Sequence, residues 1–179
     1  MNKLFFSIKT SILLLLFIIS IGNTAQAAQN TSFAIYLVRH AEKNTLSPPG
    51  LTACGQQRAE DLIEVFQSID IEKIYSTDFL RSTRTVQPIA QQRNLTINLY
   101  GAPTLADFAQ KLLREKKNAL VVGHLNTTPM LAGFLSGNSY DMIKGADYNR
   151  IYQVVIVAGT PYASILQPPL KCVEPEVGQ

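Results

Sequence analysis

The chain has 179 residues, with 16 basic and 13 acidic side chains and a formal net charge of +3. This length suits one domain with a substantial core. The basic residues form no clustered Lys/Arg stripe, so we expect no nucleic-acid partner. With only two histidines and two cysteines, the chain lacks a zinc motif, and we expect neither a metal nor another cofactor.

The first predicted element is a secretory signal peptide over residues 1–27. Lys3 and Lys9 precede an apolar run at 12–21, and small residues at 25–27 supply a cleavage spacing. The run is about half of the roughly 20 residues that a membrane-spanning helix needs, so we expect no stable membrane insertion after cleavage. An uncleaved anchor is the alternative. Cleavage would leave an exported chain, periplasmic or extracellular, with a net charge of about +1.

After the signal, short apolar runs alternate with longer segments of helical pattern. The apolar runs predict strands at 33–38, 73–77, 95–99 and 119–123, and a final hairpin over 148–166. The other segments predict helices at 52–68, from 79, at 104–114 and at 127–135. This alternation predicts one α/β domain over 28–166, a three-layer α/β/α sandwich with a mostly parallel sheet. An extended tail is predicted at 167–179.

Three residues mark the expected helix boundaries. Thr52 and Asp78 are predicted N-caps, because their side-chain oxygens can accept from free backbone N–H groups. Pro88 is expected to kink or shorten the second helix.

Each of the two histidines comes directly after a predicted buried strand. His40 follows the first strand and Arg39, and His124 follows the run that ends at residue 123. A third strand leads to Arg81 in the first turn of a helix. Because the binding crevice of an open parallel sheet lies outside the carboxyl ends of its strands, these four side chains are expected to converge.

Two imidazoles and two guanidiniums together suit a phosphorylated substrate. Arg presents a planar fork of donors for phosphate oxygens, and helix N-termini add backbone N–H groups. A neutral imidazole can attack phosphorus and so divide one displacement into two steps. A single His after a strand, or a single Arg at a helix start, is more often structural. The four together predict an anion site that contains a nucleophile.

Four ordered segments resemble known motifs: Leu37-Val38-Arg39-His40-Ala41-Glu42-Lys43, Leu51-Thr52-Ala53-Cys54-Gly55-Gln56-Gln57-Arg58-Ala59, Tyr75-Ser76-Thr77-Asp78-Phe79-Leu80-Arg81-Ser82-Thr83-Arg84-Thr85, and Val121-Val122-Gly123-His124-Leu125-Asn126-Thr127. They are similar to those of the histidine phosphatase superfamily, the phosphoglycerate mutase-like proteins. The resemblance implies the three-layer fold and His40 as the nucleophile, and it implies that Arg39, Arg81 and His124 hold the phosphoryl group. Lys43 and Asn126 are adjacent candidates for substrate contact.

The general acid is where the sequence departs from this family. Mutase-like members carry a Glu on a longer insertion, whereas the stretch from Arg81 to His124 is short and has no obvious equivalent. Asp107 is the predicted acid, with Glu42 as the second candidate. A bound water or an easily expelled leaving group would make either acid unnecessary.

The predicted activity is metal-independent hydrolysis of a small phosphorylated compound through a phosphohistidine. A catalytically weak phosphoryl-binding or interaction module is the alternative, and a mutase and a metal-dependent hydrolase are disfavoured. Sugar phosphates, phosphorylated envelope components and phosphoprotein histidines are all open as substrates. Because His40 must be neutral to attack while His124 is most useful as a donor, activity is expected to fall at both pH extremes.

Cys54 and Cys172 are the only possible intramolecular pair of cysteines. Export would let a disulfide between them persist and would tie down the tail. Two unpaired thiols are the alternative. Tyr148 and Asn149, at the start of the final hairpin, are expected to make ordinary edge packing, and a place on the rim of the site is the alternative.

Overall fold

The computed structural model describes residues 32–169, 171 and 172 of this chain. The predicted signal peptide at 1–27 lies outside the described residues, as does most of the predicted tail, at 170 and 173–179. Within the described residues, no helix is both long enough and apolar enough to cross a membrane.

The described residues form a sheet and its flanking helices. The strands are β1 (Ser32–Arg39), β2 (Lys73–Thr77), β3 (Ile97–Tyr100), β4 (Ala119–Gly123), β5 (Ile151–Val157) and β6 (Thr160–Leu166). The α-helices are α1 (Ala53–Val65), α2 (Leu80–Gln92), α3 (Leu105–Glu115) and α4 (Thr127–Ser136), and a 3₁₀ turn at Ala102–Thr104 precedes α3.

The sheet is mostly parallel, as predicted. Its strand order is β3-β2-β4-β1-β5-β6, in which β1 to β4 run parallel and β5 is antiparallel to both of its neighbours. Arg39 pairs with Gly123 across β1 and β4, and Ser76 pairs with Val122 across β2 and β4. The carboxyl ends of these three strands therefore meet at one edge of the sheet.

Two apolar cores lie on opposite faces of the sheet, because successive side chains of a strand point to opposite sides. Along β1, Phe33, Ile35 and Leu37 pack with residues of α3 and α4. The alternate residues, Ala34, Tyr36 and Val38, pack with residues of α1 and α2. This double-sided burial gives the continuous apolar run seen in the sequence, and it confirms the three-layer α/β/α fold.

The first two helices begin differently. Thr52 caps α1 as predicted, and its hydroxyl oxygen accepts from the Gly55 N–H at 3.0 Å. The prediction for Asp78 is wrong: α2 begins at Leu80, its N-cap is Phe79, and no side chain caps it. The Phe79 N–H donates to the Thr77 carbonyl in a tight turn that leaves Asp78 exposed before the helix. Pro88 lies inside α2, which continues to Gln92.

The start of the C-terminal tail is fixed to the domain at several points. A disulfide joins Cys54 in the first turn of α1 to Cys172, with 5.4 Å between the Cα atoms. Asn149 donates from its side chain to the Pro168 carbonyl at 2.8 Å. Lys171 pairs with Glu64 on α1. The tail therefore runs from the hairpin back to α1.

Candidate active site

The ends of β1 and β4 bring the two histidines together. The His40 N–H donates to the Gly123 carbonyl at 2.9 Å, and the two imidazole centroids lie 5.4 Å apart. A Cβ on Gly123 would lie only 2.8 Å from the Thr128 hydroxyl oxygen, so this position needs glycine. The sequence predicted this meeting from the strand ends alone.

His40 is held with one particular ring nitrogen buried against the backbone. The side chain is only 4% exposed, and Nδ1 lies 2.8 Å from the Ala41 carbonyl oxygen. A carbonyl oxygen only accepts, so Nδ1 carries the proton and Nε2 has the free lone pair. The backbone therefore selects the tautomer that a nucleophilic Nε2 requires.

Both imidazoles are neutral in the free protein at neutral pH. Burial lowers the pKa of His40 to about 4, and the charges of Arg81 and Arg39 lower it as well, against the opposing effect of the Ala41 carbonyl. Burial, together with the same two arginines, also lowers the pKa of His124 to about 4. At neutral pH, therefore, neither imidazole carries a charge that a rise in pH could remove. The structure does not support the alkaline loss of activity that was expected from His124 as a donor.

Arg39 is clamped by the segment that precedes β5. Its Nη1 donates to the carbonyl oxygens of Gly145 at 2.7 Å, Lys144 at 3.2 Å and Asp147 at 3.4 Å. Its guanidinium carbon lies 4.0 Å from the centroid of the Tyr148 ring. The Nε atom is buried without a hydrogen-bond partner. The clamp fixes the guanidinium and leaves its Nε–H available to another acceptor.

Tyr148 takes the alternative place beside the site rather than making ordinary edge packing. In addition to covering Arg39, its ring centroid lies 6.4 Å from that of His40. Nothing in the local sequence signals this contact, because it depends on how the irregular segment after α4 returns to the sheet.

Arg81 enters the site from the first turn of α2. Its guanidinium carbon lies 4.4 Å from the centroid of the Phe79 ring, and that ring lies 5.1 Å from the His124 ring. Burial lowers the pKa of Arg81 from its ordinary value, and its Nε atom is also buried without a partner. A partly desolvated guanidinium attracts an anion more strongly than one in water does.

His124 is oriented by hydroxyl groups that the sequence reasoning missed. Its Nε2 lies 3.1 Å from Thr77 Oγ1, which is itself 2.9 Å from Ser82 Oγ. Its backbone N–H donates to Thr127 Oγ1 at 2.9 Å. The signal was present in the sequence, because β2 ends in two hydroxyl residues at the same sheet edge as the histidines.

The two candidate acids differ in their surroundings, and the role of Asp107 as general acid stays a prediction. Asp107 lies exposed on the first turn of α3, and the described hydrogen bonds do not connect it to His40 or His124. Glu42 is buried, but both of its carboxylate oxygens accept from Arg58. Glu42 is therefore a structural partner of Arg58 beside the site.

The two candidate substrate contacts lie on exposed segments at either side of the pocket. Lys43 follows the first motif and forms an isolated bridge with Leu51, and Asn126 precedes α4 without capping it through its side chain. Asn44 holds the intervening loop, because its Oδ1 accepts from the Gly50 N–H at 3.1 Å. Contact of Lys43 or Asn126 with substrate remains a prediction.

The site can hold an anion between two guanidiniums and two neutral imidazoles. Among the residues that the structure describes, no three His, Cys, Asp or Glu side chains are grouped so that they could bind a metal ion. Fixed donors around a nucleophilic nitrogen are suited to phosphoryl transfer.

A model of the histidine phosphatase superfamily, branch 1, matches residues 35–109, which include Arg39, His40 and Arg81. Over this stretch the chain is similar to the histidine phosphatase superfamily. The match includes three of the four motifs, agrees with the resemblance that the sequence predicted, and supports a phosphatase.

Solved phosphatases share the fold over nearly their whole length. The histidine phosphatase SixA, solved with tungstate, superposes with a TM-score of 0.63 at 19% identity, covering 75% of this chain and 97% of SixA. The α-ribazole phosphatase of Shigella flexneri superposes with a TM-score of 0.64 at 14% identity, covering 80% of this chain and 100% of that phosphatase. A mycobacterial glucosyl-3-phosphoglycerate phosphatase superposes with a TM-score of 0.61 at 10% identity, covering 76% of this chain and 98% of that phosphatase. Comparison with curated proteins gave no match.

Proposed function

We propose that this histidine phosphatase hydrolyses a phosphate monoester without a metal, through a phosphohistidine on His40. The observation that carries the proposal is the tautomer of His40: the Ala41 carbonyl holds the Nδ1 proton, so Nε2 offers its lone pair to the pocket. The lowered pKa keeps that lone pair available at neutral pH.

The reaction proceeds in two displacements. In the first, Nε2 of His40 bonds to phosphorus, the bond from phosphorus to the leaving oxygen breaks, and its electron pair departs with that oxygen. In the second, a water molecule attacks the same phosphorus, the P–N bond breaks, and its electron pair returns to Nε2. Inorganic phosphate leaves, and the proton lost by the water passes to solvent or phosphate.

Three side chains stabilise the transferred phosphoryl group. Arg39 and Arg81 each have a buried Nε–H that makes no hydrogen bond within the protein, and these groups can donate to the equatorial oxygens. His124 lies across from His40 and is held by Thr77. Because these donors are fixed before substrate binds, little reorganisation accompanies the reaction.

We also propose that the protein acts after export. The predicted signal peptide motivates this proposal, and the Cys54–Cys172 disulfide supports it, because such bonds persist in oxidising compartments. Sequencing the N-terminus of the protein recovered from each cell fraction tests it. An uncleaved chain in the cytoplasmic fraction alone would contradict export.

The test of the phosphatase proposal is phosphate release from p-nitrophenyl phosphate by the purified mature chain in excess chelator. The parent is expected to turn over, and His40→Ala is expected to lose activity by at least roughly a thousandfold, as nucleophile removal does in other enzymes. Asp107→Asn tests the predicted acid separately: activity on this substrate is expected to persist, because p-nitrophenolate is a weak base that leaves without protonation.

The intermediate is tested by mixing each protein with ³²P-labelled substrate and quenching the reaction rapidly. An acid-sensitive label on the parent that is absent from His40→Ala would identify the phosphohistidine.

The rival function is a phosphoryl-binding module, which the ion pairing of Glu42 favours. Vanadate binding without turnover by the parent would establish that rival and overturn the phosphatase proposal.

A further inference from the structure

We propose, on the basis of the phosphatase function above, that Phe79 makes the enzyme selective for phosphate esters whose leaving group is a planar aromatic alcohol, a phenol. Such substrates are preferred over sugar phosphates and alkyl phosphates. Phe79 is thus a specificity-determining residue for the leaving group.

The direction of the leaving group follows from the position of His40. In-line displacement places the leaving oxygen opposite the attacking Nε2. His40 is 4% exposed, whereas Phe79 is 49% exposed and Leu125, directly after His124, is 37% exposed. The leaving group therefore points from the buried nucleophile outward and passes these apolar side chains.

Phe79 lies where a leaving group must pass. Its ring contacts both Arg81 and His124, the two groups on the outer side of the phosphoryl site. About half of the side chain is available to another molecule, and large apolar surfaces exposed beside a polar pocket mark binding sites. A planar ring on the leaving oxygen can stack on Phe79 or meet its edge while the phosphoryl group contacts Arg81.

Further apolar surface lies beside Phe79 at the same rim. The Ile143 N–H donates to the Leu125 carbonyl at 2.9 Å, which places Met142, itself 65% exposed, next to Leu125. A sugar packed against these apolar side chains would lose hydrogen bonds to water that the side chains cannot replace, and that loss costs binding free energy. An aromatic ring has no such cost.

The state of the nearby carboxylates favours the same leaving groups. The charges of Glu42 and Asp147 both act on Arg39, but Glu42 is paired with Arg58, and Asp147 is paired with Arg150 at 2.7 Å. Because both of these carboxylates are held in ion pairs, neither is free to donate a proton, and a leaving oxygen that departs unprotonated must be a weak base. A phenol, with a pKa of about 10, is expelled far more readily than an alkyl alcohol. The departing phenolate then takes its proton from water.

The experiment measures kcat/KM for phenyl phosphate, 2-naphthyl phosphate, cyclohexyl phosphate and glucose 6-phosphate, in chelator. The two aryl esters have leaving oxygens of similar basicity but different ring areas, so the ratio of their kcat/KM values reports contact with Phe79. We expect 2-naphthyl phosphate to be preferred over phenyl phosphate, and Phe79→Ala to lower that preference roughly tenfold.

Phe134→Ala is the matched control. Phe134 is also 49% exposed, but it lies on the last part of α4, away from the strand ends. The ratio of the two aryl esters is expected to stay at the parental value in this variant. If Phe79→Ala lowers kcat/KM equally for both aryl esters and leaves the ratio of the two kcat/KM values unchanged, Phe79 only supports Arg81. That result would overturn the inference.

The dependence on the leaving group is measured with para-substituted phenyl phosphates. Without a carboxylic acid donor, log kcat/KM is expected to fall steeply as the pKa of the phenol rises. A nearly flat dependence, or equal hydrolysis of cyclohexyl and phenyl phosphates, would overturn the claim that the enzyme prefers weakly basic leaving groups. These outcomes differ from failure of the proposed function, in which no substrate shows hydrolysis that depends on His40.

Discussion

The two imidazoles share a low pKa although their partners differ. His40 gives its Nδ1 proton to a backbone carbonyl, whereas His124 contacts the Thr77 hydroxyl through Nε2. In both cases burial is the largest cause of the lowered pKa, and the two arginines oppose any further positive charge. The two arginines proposed to attract the phosphate anion thus also help to keep the proposed nucleophile neutral in the free protein.

This electrostatic arrangement predicts the titration of the histidines. The chain has only two, so a tag-free sample gives two imidazole signals by NMR. Both are expected to titrate near pH 4 in the free protein. Bound vanadate should raise both pKa values, because a nearby negative charge favours the protonated form. Titration near pH 6.5 with and without vanadate would contradict the burial of the site.

The same pKa values determine how the free energy of unfolding changes with pH. The folded pKa lies below the unfolded value of 6.5, so the unfolded chain binds protons first as the pH falls from 6.5 to about 4. The free energy of unfolding should therefore decrease as the pH falls through this window. For activity, kcat/KM should decline only toward pH 4, where His40 begins to take up a proton.

The sequence predicted that the four candidate site residues lie together, because the ends of buried strands can be recognised in it. His40 and His124 each follow a run buried on both faces, and parallel strands end at a common edge. It did not predict that the Tyr148 ring covers the Arg39 guanidinium or that Glu42 pairs with Arg58. Those contacts join segments without periodic pattern, so they depend on the path of the chain in space.

At the scale of elements, buried strands were easier to predict than helix starts. The bounds of β2 and β4 agree with the apolar runs, because each strand lies in the middle of the sheet with both faces covered. At α2, Asp78 had the preferred residue type for a cap, but the turn after β2 shifted the helix start past it. Cap preference is about 1 kcal/mol and yields to such tertiary constraints.

The cap of α1 offers a direct measurement at this scale. Thr52→Ala removes the acceptor of the Gly55 N–H and is expected to lower the free energy of unfolding by about 1 kcal/mol. Thr83→Ala is the comparison, because the hydroxyl of this half-buried residue of α2 donates only to preceding carbonyls and Ala favours a helix. Equal unfolding midpoints in urea for both variants would show that the cap contributes little.

For the whole molecule, the sequence identified the pair of cysteines but not what their bond holds in place. Arg58 donates both to Glu42 and to the Cys172 carbonyl, at 3.4 Å in the latter case. The anchored tail thus meets the ion pair that lies beside the catalytic motif. No periodic pattern in the tail could have indicated this contact, because the disulfide and side chains of α1 position it.

The disulfide joins residues 118 positions apart, so it restricts the unfolded chain over most of the domain. The loop-entropy model gives roughly 4 to 5 kcal/mol for a loop of this length. Reduced protein is therefore expected to unfold at clearly lower urea concentration than oxidised protein, as followed by circular dichroism. A Cys54→Ala/Cys172→Ala variant controls for the reductant, because its midpoint should not respond to it. Because Arg39, His40 and His124 are positioned by the ends of β1 and β4, activity below the unfolding transition should survive reduction. Coincident curves for oxidised and reduced protein would mean that the tail contacts and the core hold the fold without the covalent bond.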